Sequence, residues 1–84
     1  MQKYKITMDN PDGSLETVWE KKTTEEIMTE KFIEFIKLQQ QNRKSDPTIR
    51  WRVVRVFDES GNQICQESWR IIKYKVGALN VFLF

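Results

Sequence analysis

The stretch Thr23-Thr24-Glu25-Glu26-Ile27-Met28-Thr29-Glu30-Lys31-Phe32-Ile33-Glu34-Phe35-Ile36-Lys37-Leu38-Gln39-Gln40-Gln41 holds neither glycine nor proline. Its large apolar groups Met28, Phe32, Phe35 and Ile36 recur with the 3.6-residue period of a helix. The start carries a mechanism: Thr23 as N-cap can accept from the Glu26 amide while the Glu26 carboxylate reaches back, and the acids suit the positive helix end. A helix from Thr24 to about Gln41 is expected. Ile27, Ile33 and Leu38 widen its apolar sector beyond half the circumference, leaving Glu26, Glu30, Glu34 and Lys37 as the solvent row. One sheet face would not cover that sector, so the helix should keep apolar surface for another occupant.

Before the helix, Tyr4, Ile6 and Met8 alternate with Lys3, Lys5 and Thr7, as a strand with one buried face does. Asn10-Pro11-Asp12-Gly13 then offers a fixed φ at proline and a positive φ at glycine, the chemistry of a tight turn. A four-residue loop would set Met8 opposite Leu15, Ile6 opposite Thr17 and Tyr4 opposite Trp19. Lys5 would then lie across from Val18, and Lys3 would form a cross-strand ion pair with Glu20. This strand should end near Lys22. After the helix, the run from Gln39 to Asp46 and Pro47 loses all hydrophobic period, and proline excludes helix at the residue before it, so a polar connection is expected.

Thr48 to Phe57 is rich in β-branched and aromatic residues, and Asp58-Glu59-Ser60-Gly61-Asn62 reads as a turn leading to a return strand from Gln63 to about Val76. A bulge at Val53 and Val54 would turn Ile49, Trp51, Val53, Val54 and Val56 inward and send Arg50, Arg52 and Arg55 together to solvent. Beyond Gly77, Leu79, Val81 and Leu83 alternate with Asn80, Phe82 and Phe84, so the tail can add a fifth strand that needs cover on both faces. The expected architecture is an α+β single domain spanning 1–84. Its order is β-β-α-β-β, with two antiparallel hairpins in one sheet packed on one helix. Eighty-four residues and 10.1 kDa accommodate one core, and 39% apolar with 31% charged residues is a globular balance.

Composition also closes function classes. The chain has no histidine, which removes the commonest general base and transition-metal ligand, and its one cysteine, Cys65, cannot form an intramolecular disulfide or a structural zinc site. Cys65 is read as a small apolar group within a strand. Asp9 with Asp12, Asp58 with Glu59, and the helix acids are explained by turns and a solvated face rather than by catalysis. The three glycines are isolated and form no phosphate loop. No catalytic residue, cofactor or metal ligand is expected. No apolar run approaches the length of a membrane span, and Met1-Gln2-Lys3-Tyr4-Lys5 does not open a signal segment, so a cytoplasmic protein without membrane attachment is expected.

Charge divides the chain. Residues 1–42 carry six lysines against eight acids, a balance of −2, whereas residues 43–84 carry eight basic residues against four acids, a balance of +4. All five arginines, Arg43, Arg50, Arg52, Arg55 and Arg70, lie in the basic half, interleaved with Trp51 and Trp69. Arginine forks hold carboxylates or phosphates and a tryptophan can stack on a base, yet arginines on an outer sheet face also serve simply as solvated groups that guard edges. The reading favoured is a small non-enzymatic interaction protein that occupies a surface of a larger protein, in the manner of inhibitors, antitoxins, immunity proteins and phage-encoded antagonists. Usage of Lys, Ile, Asn and Gln suits a mobile-element protein. The alternative is a nucleic-acid-binding domain using the second hairpin, against which twelve acids and a net charge of +2 weigh. Candidate partner-binding residues are Arg50, Arg52, Arg55, Arg70 and Trp51, with Val81, Phe82 and Phe84 of the tail for partner docking or homodimerisation.

Overall fold

The computed structural model describes residues 1–66 in full, together with the backbone of residues 67, 72–76 and 79–81. Elements follow in the order β1 (Gln2–Asp9), β2 (Leu15–Thr23), α1 (Glu25–Ser45), β3 (Val54–Phe57), β4 (Gln63–Glu67), β5 (Ile72–Val76) and β6 (Leu79–Val81). This is an α+β domain with the expected β-β-α-β-β order followed by two further strands. All neighbours pair antiparallel in one sheet of order β2-β1-β3-β4-β5-β6. The expected return strand from Gln63 to Val76 is two strands. Cys65 pairs with Tyr74 and Glu67 with Ile72, antiparallel, and residues 68–71 between the two strands lie outside the described residues. The tail does add a strand, which pairs Val76 with Leu79 and Tyr74 with Val81.

The core lies between α1 and one sheet face. Tyr4, Ile6, Val54, Val56 and Cys65 come from the strands and Met28, Phe32 and Ile36 from the helix, with Met8, Val18, Trp19, Phe35 and Ile64 packed at its margin. The helix buries the expected stripe but leaves Ile27 and Leu38 exposed on its far side. Its N-cap is Thr24, whose Oγ1 accepts from the Ile27 amide at 3.3 Å, because Thr23 is buried as the last residue of β2. The shift puts Ile27 where a capping box needs a carboxylate, so Glu25 and Glu26 act through the helix dipole alone. The helix also outruns its expected end. Arg43 and Lys44 complement its negative end, and it stops at Asp46, as Pro47 requires.

The first hairpin differs from expectation by one residue of register. Ser14 joins the turn: the Asn10 amide donates to the Ser14 carbonyl at 2.8 Å, the Ser14 amide donates to Asp12 Oδ1 at 2.9 Å, and Gly13 takes φ +88°. Leu15 therefore pairs with Asp9, not Met8, and is exposed. Left uncorrected, the slip would move Trp19 to the outer face. A bulge at Val18 restores it, so that Thr7 pairs with Thr17 but Ile6 pairs with Trp19. Lys3 still reaches Glu20 at 3.2 Å, now diagonally. As the sheet edge, β2 carries this bulge together with Glu16, Glu20, Lys21 and Lys22, which discourages pairing with another strand.

The expected strand from Thr48 is confined to Val54–Phe57. Its partner β1 offers a last hydrogen bond from the Asp9 amide to the Val53 carbonyl at 3.0 Å and then turns away at Asn10, so the β1 ladder does not continue along residues 50–52. No bulge at Val53 and Val54 is needed. Within the short strand Val54 and Val56 face the core and Arg55 and Phe57 the other side, and the irregularity falls instead at Ile64 of β4. No described helix is long and apolar enough to cross a membrane.

Candidate functional site

Residues 46–53 leave the helix and enter β3 without regular structure, and side chains hold them in place. Asp46 Oδ1 accepts from the Thr48 amide at 3.0 Å and the Thr48 hydroxyl at 2.6 Å, bonds that hold its carboxyl below the ordinary range. Gln39, buried on the helix stripe, grips the backbone of Arg52 from both sides. Its Oε1 accepts from the Arg52 amide at 2.6 Å and its Nε2 donates to the Arg52 carbonyl at 3.0 Å, replacing the strand that β1 does not supply. Arg43 donates Nε to the Ile49 carbonyl at 3.1 Å and lays its guanidinium 5.6 Å from the centre of the half-buried Trp51 ring.

The three described candidate arginines of this region meet different fates. Arg52 points back under the first hairpin turn, donating Nε to the Asp9 carbonyl at 3.0 Å and Nη2 to Asn10 Oδ1 and Glu16 Oε2, each at 3.0 Å. Arg55 crosses the outer sheet face and binds Asp9 through two bonds, Nε to Oδ1 at 2.8 Å and Nη2 to Oδ2 at 2.9 Å, while Nη1 donates to Gln63 and Gln66. These bonds hold the Asp9 carboxyl below its ordinary value and raise Arg55. The expectation that Arg50, Arg52 and Arg55 project together to solvent is thus corrected: two of them are neutralised by Asp9 and Glu16, acids far away in sequence. Arg50 alone of the three is exposed, with no ion-pair partner among the described residues.

Arg50, Trp51, Arg52 and Val53 form one wall, and Asp9, Asn10 and Pro11 the other, of a cleft of about 290 Å³. This brings together three of the candidates, Arg50, Trp51 and Arg52. Arg55 lies on the adjoining sheet face, joined to the cleft through Asp9. Arg70, Phe82 and Phe84 lie outside the described residues, and Val81 is placed only by its backbone in β6. Gln39, Asn10 and Glu16 are missed by sequence reasoning. Gln39 does leave a signal, since it continues the stripe Met28, Phe32, Ile36, where a polar residue must find buried partners.

Cys65 does not contribute reactive sulfur, because burial pushes its thiol up to about 12 and keeps it protonated. Among the described residues no group of three or more Cys, Asp or Glu side chains could hold a metal ion. No protein-family model matches the chain, and comparison with curated proteins and with solved structures likewise finds no match.

Proposed function

We propose that this chain is a small non-enzymatic protein that binds and modulates a larger protein. The observation that carries the reading is the pinned segment 50–53, which sets an exposed Arg50 beside Trp51 on a stretch that Gln39 and Arg52 already hold in place. Arginine and tryptophan are the residues on which protein interfaces concentrate binding energy, and a segment ordered beforehand loses little freedom on docking. Exposed Ile27 and Leu38 on the far side of the helix add apolar surface of the kind partners cover.

The charge pattern weighs against the nucleic-acid reading. Phosphate binding needs several uncompensated cations in a row, whereas Arg52 and Arg55 are occupied by Glu16 and Asp9. The test is capture from source-cell extract with the intact chain as bait, with and without nuclease. Retention of one defined protein after nuclease treatment is expected. Loss of every partner on nuclease treatment would instead favour nucleic acid and defeat the protein reading.

A further inference from the structure

Resting on that protein-partner reading, we infer that the cleft between Asn10-Pro11 and residues 50–53 is a receptor for one carboxylate side chain of an acidic peptide segment. Its donors are in place. Arg50 has no acidic partner among the described residues, and Arg52, though bound through Nε and Nη2, makes no hydrogen bond with Nη1 among them. The bonds to the Met8 and Asp9 carbonyls, to Asn10 and to Glu16 fix the Arg52 guanidinium before any ligand arrives. Arg50 and Arg52 both line the cleft, and a pair of guanidinium groups suits the two oxygens of a carboxylate.

Charge and size narrow the class. Arg50, Arg52 and Arg55 against Asp9 and Glu16 leave a local balance of one positive charge, which complements a single anion. A phosphate chain would bring its neighbouring charges against Asp9 and Glu16. The cleft's volume of about 290 Å³ lies at the lower edge of small-molecule sites and admits a side chain more readily than a cofactor. Pro11, Trp51 and Val53 supply apolar walls, so the acid should stand beside an aliphatic or aromatic residue.

Titration of the isotope-labelled chain, followed by backbone amide and arginine Nε–H resonances, tests this with a capped peptide of alternating Asp and Leu, its Asn counterpart, and inorganic phosphate. The Asp peptide should give saturable shifts confined to residues 9–11 and 50–53, at least fivefold weaker with the Asn peptide and with Arg50→Gln. Equal binding of the Asp and Asn peptides, no binding of either, or tighter binding of phosphate than of the Asp peptide would overturn the assignment. Retention of the captured protein by Arg50→Gln at wild-type strength would also overturn it while leaving the protein-partner reading intact. Loss of every partner on nuclease treatment defeats that reading itself.

Discussion

Segment 46–53 and strand β3, which continues it, carry the same residue types, arginines among large apolar groups, yet hold them by different means. In β3 the pleat decides: Val54 and Val56 are driven into the core, and Arg55 is thrown to the other face, where Asp9 meets it. In 50–53 the β1 ladder has ended, and the segment is held by single bonds, from Gln39 to the Arg52 backbone, from Arg43 to the Ile49 carbonyl just before it, and from Arg52 to the Asp9 carbonyl. Damage to the core should therefore be felt globally, and damage to the segment locally.

The largest effect belongs to the core side. Phe32 is fully buried in the cluster that includes Val54 and Val56, and Phe32→Ala should cost about 3 to 5 kcal/mol in denaturant melts. A loss below about 1 kcal/mol would mean that β3 is held from its outer face instead. That outer face comes next. Arg55→Ala leaves Asp9, three-quarters buried, without its two-point partner, and should cost about 1.5 to 3 kcal/mol. The same pair sets an acid dependence. Hydrogen bonds from Arg55 lower the Asp9 value in the folded chain, so their contribution is present above the unfolded carboxyl value of about 4 and is lost as pH falls through the lower folded value. Asp9→Asn should flatten that part of the acid-denaturation curve; an unchanged curve would place the acid sensitivity elsewhere.

Gln39→Ala tests the segment directly. It removes both bonds to the Arg52 backbone and should cost about 1 to 2 kcal/mol, because water can reach part of the segment and re-satisfy it. The discriminating measurement is amide exchange. Protection should fall sharply at Arg52 and stay high at Ile6 and Val56; a uniform fall would show that segment and strand open as one unit.

What could be read beforehand follows the same division. The helix stripe, both turns and the β-β-α-β-β succession of elements rest on interactions between near neighbours in sequence, and local composition carries them, whereas the place of β3 beside β1 in the sheet does not. The first hairpin's register turns on Ser14 joining the loop and on the Val18 bulge, two compensating steps of which neither is visible in alternation alone. Thr48–Val53 has the composition of a strand but is not continued as one, because β1 turns away at Asn10. The fates of Arg52 and Arg55 depend on Glu16 and Asp9, brought close only by the β1–β3 pairing. Charge counting found the basic half but could not tell which arginines were already occupied.

The smallest expected effect is the sharpest test of that last distinction. Arg50 and Arg52 are separated only by Trp51, yet Arg52 joins the segment to the hairpin turn and Arg50 supports nothing described. Arg50→Ala should therefore leave stability within about 0.5 kcal/mol of wild type, the range of surface changes that break no contact. Arg52→Ala removes the charge-assisted bonds to Asn10 and Glu16 as well as the carbonyl contacts, and should destabilise measurably more, by roughly 1 to 2 kcal/mol after allowance for its partial exposure. Paired melts of the two variants decide it. Equal losses would mean that Arg50 also holds the fold, and the case for it as a surface kept open for a partner would fall with that result.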